Sequence, residues 1–141
     1  MDEIKVMLDD GAYMPEKAHD ADAGYDLRAM FDAELKPGGG AVFDTGVHVQ
    51  IPEGCVGYVQ GRSGLNVNHS IICPTGVVDE GFVGAIKVKL YNLSNEPYKF
   101  ETGDKVAQLV IHPVVNRKAL IRVNSLEETE RGNNGFGSTG R

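Results

Sequence analysis

The sequence lacks the features that mark several large classes of protein. No stretch approaches the roughly 18 apolar residues of a membrane-spanning helix. The chain does not open with a basic segment followed by an apolar one, as a signal peptide does. It also has no run of Lys and Arg, and 20 acidic residues against 14 basic ones give a net charge of -6. Because duplex-binding proteins carry a basic patch or stripe, we expect no nucleic-acid partner. Because no apolar stretch is long enough to span a bilayer, we expect no membrane partner either.

Cysteine is scarce, and metal-binding spacings are missing. Cys55 and Cys73 are the only cysteines in the sequence and form no CxxC motif, so they indicate a reducing cytoplasmic location rather than a disulfide framework. The four histidines also lack the spacing of metal ligands. A zinc-dependent deaminase, which needs HxE and CxxC motifs, is therefore excluded.

Helical periodicity is almost absent as well. The best helix candidate is one or two turns over residues 63–69, whereas apolar residues elsewhere alternate at the spacing of β-strands. Turn signals rich in Gly and Pro separate these segments. The predicted strands include residues 4–8, 47–51, 86–90, 106–111 and 120–123. At 141 residues, the pattern predicts one all-β domain, a sandwich or a barrel.

Glycine, in contrast, is abundant. It supplies 18 of 141 residues, about 13% where about 7% is usual, and it either marks turns or lets backbone approach a ligand. Residues 131–141 contain four Gly, two Asn and a single apolar side chain, Phe136. Ordering such a segment costs about 1–2 kcal/mol of backbone entropy per residue with little burial in return. It is therefore either a disordered tail or a flap that orders on a ligand.

Two segments carry residue types suited to an anion. Residues 61–65 read Gly-Arg-Ser-Gly-Leu at the predicted helix start, where free N–H groups attract anions. The alternative is that Ser63 caps the helix and Arg62 is solvated. Gln108 lies inside an apolar strand, where an unpaired buried amide costs roughly 1–3 kcal/mol. Its side chain must therefore find a partner or face a site.

Two further segments are less specific. Residues 22–28 read as a surface turn that runs into a strand, and residues 76–84 read as a hairpin with Glu80 and Gly81 near its tip. Asp79 is then either a turn-capping residue or a carboxylate held at a cleft.

In their order along the chain, these four segments and the tail RGNNGFGSTGR resemble the five motifs of the trimeric deoxyuridine triphosphate nucleotidohydrolase (dUTPase) family. The resemblance runs from about residue 20 to the C-terminus. It implies a distorted jelly-roll over residues 1–126 with one short helix, and a flexible arm over residues 127–141 that closes over the active site. It also implies a homotrimer with shared sites and Mg²⁺-dependent hydrolysis of dUTP to dUMP and pyrophosphate. That reaction limits uracil incorporation into DNA and supplies dUMP for dTMP synthesis.

The resemblance also implies a role for individual residues. Asp79 would activate the water that attacks the α-phosphorus, and Asp26 would order the Mg²⁺ shell through water. The expected phosphate contacts are Arg62, Ser63, Gly64, Gln108, Arg131, Gly137, Ser138 and Thr139. The expected nucleoside contacts are Gly76, Val78, Phe82, Lys89 and Phe136.

Four positions depart from the family pattern, and two other functions compete with it. Gly61 stands where the family usually has Pro, Phe82 where it has Tyr, Cys73 where many members have Asn, and Asn134 where Gly is usual.

The related deoxycytidine triphosphate deaminases, the first alternative, share the fold, but they need a Glu where this chain has Lys89. A regulatory trimer that only binds nucleotide is the second alternative, and the presence of Asp79, Arg62 and the whole tail argues against it.

Overall fold

The structure is a computed structural model that describes residues 3–140, and it is built almost entirely from short strands. Among those residues there are eleven strands and one helix. In chain order they are β1 Val6–Leu8, β2 Gly24–Arg28, β3 Ala33–Leu35, β4 Gly40–Asp44, β5 Val47–Val49, β6 Cys55–Gln60, α1 Ser63–His69, β7 Ile71–Ile72, β8 Gly76–Val78, β9 Lys87–Asn92, β10 Tyr98–Phe100 and β11 Lys105–Pro113. The predicted all-β architecture is confirmed, and α1 has the predicted bounds.

The strands pair antiparallel in small sheets that do not close into a barrel. In the part of the chain that the structure describes, the sheet orders are β2-β11-β6-β8, β4-β9-β7, β1-β5 and β10-β3. The longest strand, β11, lies between β2 and β6 and sets Gln108 opposite Asp26 on one side and Gln60 on the other. Because α1 follows β6 directly, this register brings three distant segments of the sequence together.

Alternating side chains fill the core between the sheets. Along β9, Val88, Leu90 and Asn92 are buried while the residues between them are exposed, as a strand with one face on the core requires. Phe43 and Phe100 meet edge to face with ring centroids 5.2 Å apart. The buried Asn92 amide donates to two backbone carbonyls, so its burial leaves no unpaired polar group. The frame that carries the site is therefore tightly packed.

Two sequence-based expectations are wrong in part. Residues 120–123 form no strand, since Leu120 and Ile121 are 102% and 80% exposed and find neither a core nor a pairing edge in this chain. An alternating segment without such a partner does not hold as a strand.

The second is the hairpin over residues 76–84. It contains the expected turn, closed by the Phe82 N–H and the Asp79 carbonyl at 3.0 Å. However, β8 pairs with β6 whereas β9 pairs with β4 and β7, so the turn joins two different sheets.

Two simpler expectations can also be compared with the structure. Both cysteines are free and lie half-buried against the core. Within residues 3–140, no helix has the length and apolar character needed to cross a membrane.

Candidate active site

A polar cavity of about 320 Å³ opens where β2, β11 and the start of α1 meet. We call it the Arg62 cavity. Its lining residues are Ala18, Asp22, Ala23, Gly24, Asp26, Arg62, Ser63, Gly64, Lys105 and Gln108. Five residues expected from the sequence to bind phosphates or order a metal shell are thus brought together, although they come from three separate segments.

Asp26 organises the cations of the Arg62 cavity. Its carboxylate, 14% exposed, lies 2.7 Å from Lys105 Nζ and 3.5 Å from Arg62 Nε. Sequence reasoning missed Lys105, although this residue directly precedes the predicted strand over residues 106–111 that contains Gln108. A cation at the start of a largely buried strand was the available signal. The pairing fixes both cations and leaves the terminal N–H groups of Arg62 without a hydrogen bond among residues 3–140.

Gln108 both finds a partner and lines the cavity. Its Nε2 donates to the Gly61 carbonyl at 3.0 Å, which satisfies the half-buried amide and ties β11 to the residue before Arg62. A Cβ built on Gly24 would lie only 2.2 Å from Gln108 Oε1. The glycine at position 24 of the segment 22–28 is thus explained by the space that the Gln108 side chain occupies.

The start of α1 differs from one of the two interpretations that the sequence left open. Arg62 is the N-cap residue, with extended backbone and no side-chain cap, and Ser63 is the first helical residue. The capping role for Ser63 is therefore wrong. The Ser63 hydroxyl is exposed at the Arg62 cavity, and the first turn lacks a side-chain acceptor for its N–H groups.

A second cavity, of about 580 Å³, lies beside β8 and β9. We call it the Phe82 cavity. Its lining residues are Asp44, Val59, Gly76, Val77, Val78, Phe82, Ala85, Ile86 and Lys87. Three of the expected nucleoside contacts, Gly76, Val78 and Phe82, are among them.

Lys89 does not line the Phe82 cavity. It places its ammonium 5.1 Å from the ring centroid of Tyr91, and its nucleoside role stays a prediction. Lys87, two positions earlier on the same exposed face of β9, lines the cavity instead.

Asp79 stands at the turn that follows β8. Its backbone carbonyl closes the turn, while its exposed carboxylate accepts no hydrogen bond within residues 3–140. The carboxylate is thus not a turn cap in this chain. Next to it, the Phe82 ring folds over Gly84, where a Cβ would lie 2.6 Å from Phe82 Cζ, so Gly84 allows the ring to reach the cavity.

Glu80 fixes the same turn, and sequence reasoning missed it. Its Oε2 accepts from the Gly54 N–H and from Asn116 Nδ2, each at 3.0 Å, while Oε1 pairs with Arg117. The Gly54 N–H, followed by Asn116, lowers the pKa of Glu80 below its usual value. These partners lie 26 to 37 residues away, so no local pattern announces them.

Asp79 lines neither cavity. Along β6, Val78 pairs with Gly57 whereas Gln108 pairs with Gln60. Gly57 and Gln60 are three residues apart on β6, a distance of about 10 Å at the usual rise per residue of a strand. Asp79, one residue beyond Val78, is thus displaced from the Arg62 cavity within a single chain.

The C-terminal arm makes only local hydrogen bonds among the described residues. Arg131 Nε donates to the Asn134 carbonyl at 2.8 Å, and the Ser138 N–H reaches the Gly135 carbonyl. Phe136 is fully exposed and adopts a positive φ of 48°. The arm residues expected to bind substrate line neither cavity, and their roles stay predictions, as does the flexibility of the arm.

The donor set is suited to a cation held mainly by a ligand. Residues 3–140 contain no group of three or more His, Cys, Asp or Glu side chains placed to hold a metal ion. They offer the Asp26 carboxylate in a cavity that is also lined by Asp22 and by cationic and hydroxyl groups. Mg²⁺ is commonly bound through one or two carboxylates together with water and substrate phosphates, and the residues fit such a site.

The frame defines a jelly-roll protein with a polar cavity at the start of its one helix and a glycine-rich C-terminal arm. A family model described as dUTPase matches residues 10–140. The chain belongs to the dUTPase family.

Relatives and solved structures agree with this assignment. The deoxyuridine 5'-triphosphate nucleotidohydrolase of Clostridium acetobutylicum is 41% identical over 94% of this chain and 92% of that protein. The dUTPase of Staphylococcus bacteriophage 80alpha with dUpNHpp matches at a TM-score of 0.93 and 33% identity over 100% of both chains. A dUTPase mutant from S. aureus phage phi11, described with a structural Mg(II) ion, matches at a TM-score of 0.82 and 31% identity, over 89% of this chain and 99% of that one.

Proposed function

We propose that the protein hydrolyses dUTP to dUMP and pyrophosphate, and so limits uracil in DNA and supplies dUMP for dTMP synthesis. The observation that carries the proposal is the convergence of Arg62, Ser63, Gly64 and Gln108 on one cavity of a dUTPase-family chain. The relative from Clostridium acetobutylicum is named for this reaction. The phage 80alpha structure holds dUpNHpp, an analogue of dUTP.

The Arg62 cavity binds the triphosphate. Because Arg62 Nε faces Asp26, the rest of the planar guanidinium is presented for phosphate oxygens in a fixed orientation. The Ser63 hydroxyl and the Gly64 backbone add donors at the helix start. Preorganised donors of this kind stabilise the charge that develops on the leaving pyrophosphate.

Asp79 acts as the general base. Its carboxylate is exposed and unpaired among residues 3–140, so it is available to take a proton from water. The water oxygen forms a bond to the α-phosphorus while the bond from that phosphorus to the α,β-bridging oxygen breaks. Pyrophosphate leaves in line with the attack, and Asp79 holds the proton.

The Phe82 cavity takes the nucleoside. The strand β8 is at the edge of its sheet, and an edge strand has free backbone N–H and C=O groups. Such groups at Gly76 and Val78 read the uracil edge. The Phe82 ring packs on the deoxyribose and leaves no room for a 2′-hydroxyl. Lys89 and Phe136 complete the nucleoside contacts in this proposal.

Mg²⁺ is the proposed cofactor, and Asp26 holds it through water. The ion supplies positive charge that neutralises the triphosphate when it is bound. Asp26 also keeps Lys105 and Arg62 in place, so this one carboxylate orients cations on the protein as well as the metal shell.

A complete site is proposed to need three copies of the chain. The displacement of Asp79 from the Arg62 cavity by at least about 10 Å along β6 supports a site in which one subunit supplies the Arg62 cavity and another the Asp79 turn. The arm of a third subunit, residues 127–141, then closes over the ligand through Arg131, Phe136 and residues 137–139. The two free cysteines are consistent with the cytoplasmic location that we propose.

The deciding experiment compares pyrophosphate release from dUTP, dTTP, dCTP and UTP with Mg²⁺ present. We expect release from dUTP alone and its loss when the cation is chelated. Ammonia release from dCTP would support the deaminase alternative instead. Tight dUTP binding without pyrophosphate release would support a purely regulatory protein.

A further inference from the structure

We propose that His48 is a positioning residue for the nucleoside cavity, because its ring holds the Val83 carbonyl and thereby the segment that carries Phe82. The inference rests on the proposed function, since it assigns the stability of the Phe82 cavity to a residue outside both cavities.

The His48 ring bridges two acceptors. It lies on β5 with its side chain 18% exposed. Nδ1 is 2.7 Å from the Val83 carbonyl oxygen, and Nε2 is 3.0 Å from Asp9 Oδ1. A carbonyl and an ionised carboxylate only accept hydrogen bonds, so both ring nitrogens must carry a proton. The full pair of bonds therefore needs the imidazolium form.

Asp9 is itself held in place. Its backbone N–H donates to the Gly46 carbonyl at 2.8 Å, and its carbonyl accepts the Ala12 N–H at 3.0 Å. The turn after β1 thus presents the carboxylate to the ring from a fixed backbone. His48 connects this turn to the segment after Phe82.

That segment has little else to hold it. Within the described part of the chain, the contact with His48 is the one hydrogen bond made by residues 83–85. Val83 is 67% exposed, so packing contributes little to its position. The next anchor is the Ile86 N–H, which donates to the Val47 carbonyl at 2.9 Å. Loss of the His48 bond would free the residues on the C-terminal side of Phe82.

The surrounding charges favour the bridged form. The Val83 carbonyl, followed by the Asp9 carboxylate and more weakly by Asp44, raises the pKa of His48 above its usual value against an opposing effect of burial. Lys5 is the cationic residue that lines the same surface hollow. A raised pKa means that the stabilisation is complete below about pH 6.5 and is lost as the pH rises through the folded-state value. On deprotonation the ring keeps one proton, which stays on Nε2 because the ionised Asp9 carboxylate is a stronger acceptor than a backbone carbonyl. The bond from Nδ1 to the Val83 carbonyl is then lost.

The experiment measures KM and kcat for dUTP, and the Kd for dUpNHpp, from pH 6 to 9. In the unmodified protein, KM and Kd should rise toward alkaline pH. His48→Ala should raise both by about two- to tenfold at pH 6, as expected for one hydrogen bond, with kcat changed less. At pH 9 the two proteins should converge.

Asp9→Asn is the matched variant. An Asn amide can donate to a neutral Nε2 while Nδ1–H still donates to Val83, so the alkaline rise should disappear. If Asp9→Asn kept the full alkaline rise, or if a folded His48→Ala matched the unmodified protein at every pH, the proposal would be wrong. Should His48→Ala fail to fold, the Asp9→Asn profile decides. Failure of the proposed function is recognised separately, as binding of dUpNHpp without hydrolysis of dUTP, and the Kd profiles then test His48 alone.

Discussion

Gly24 and Gln108 lie so close together that a Cβ on Gly24 would approach Gln108 Oε1 to 2.2 Å and Gln108 Cβ to 3.0 Å. The second distance matters more, because a rotation of the terminal amide cannot relieve it. Gln108 in turn donates to the Gly61 carbonyl. The absence of a Cβ at Gly24 on β2 therefore allows Gln108 on β11 to reach the Gly61 carbonyl, next to Arg62.

Gly24→Ala should displace Gln108 and break its bond to Gly61. We expect a loss of stability of about 1–3 kcal/mol, typical of overpacking, together with a rise in KM for dUTP. Urea unfolding and steady-state kinetics measure the two effects. Gly64→Ala is the control for stability, since a Cβ there meets nothing within 4 Å. Equal stability of the two variants would contradict the packing explanation.

Asp79→Asn should remove the general base while keeping the shape of the turn, which depends on the Asp79 backbone carbonyl. We expect kcat to fall by about 10²- to 10⁴-fold, with the Kd for dUpNHpp little changed. Asp20→Asn, at another exposed Asp, controls for the loss of one surface charge. Turnover near the unmodified rate would show that Asp79 is not the base.

Glu80→Gln should weaken the contacts that Glu80 makes with Gly54 and Arg117. These contacts hold the turn that carries Asp79. The folded-state pKa of Glu80 is lowered, so its stabilisation is present above about pH 4.3 and is lost as the pH falls through the lowered value. The variant should melt below the unmodified protein at pH 7, and the two melting temperatures should converge at more acidic pH.

Glu53→Gln is the matched control for Glu80→Gln. Glu53 also pairs with Arg117, but its side chain is 79% exposed, and exposed pairs contribute little. Its melting temperature should therefore follow that of the unmodified protein across the pH range. A Glu80→Gln deficit that stayed constant down to pH 3 would rule out the carboxylate as its cause.

Phe136→Ala should separate function from stability. The side chain is fully exposed, and such substitutions usually change stability by less than about 0.5 kcal/mol. We expect an unchanged melting temperature and a clear fall in kcat/KM for dUTP. Leu126→Ala, at an apolar residue 86% exposed and outside the glycine-rich segment, is the control. A fall in kcat/KM of equal size in both variants would argue against a specific role for Phe136.

The parts predicted well from the sequence were those encoded locally. The bounds of α1 follow from a compact Gly-Arg-Ser-Gly start after an apolar strand, and β9 follows from strict alternation. Five residues that line the Arg62 cavity could be named as site candidates because they belong to recognisable segments. Antiparallel pairing in register brings those segments together, and the roles of the residues stay predictions.

The parts that were missed depend on contacts between distant residues. Glu80 meets Gly54 and Arg117, and His48 meets Asp9 and Val83, over separations of 26 to 39 residues. Each of these residues looks like an ordinary surface polar group in the sequence. The strand predicted over residues 120–123 is wrong for a different reason. Their alternation is typical of a strand, but whether a strand forms depends on a pairing partner, which a local pattern does not specify.

The contact between Glu80 and Arg117 also gives the C-terminal arm a fixed starting point. From Arg117 to Arg131 the chain has 14 steps, so its reach is at most about 50 Å. Residues 117–131 thus form a tether whose length, more than its composition, limits how far from Glu80 the arm can reach. Lengthening this tether by a few flexible residues would cost little closure entropy. Shortening it would reduce the distance from Glu80 that the glycine-rich segment can reach. The linker before the glycine-rich segment should therefore tolerate changes of residue type more readily than deletions.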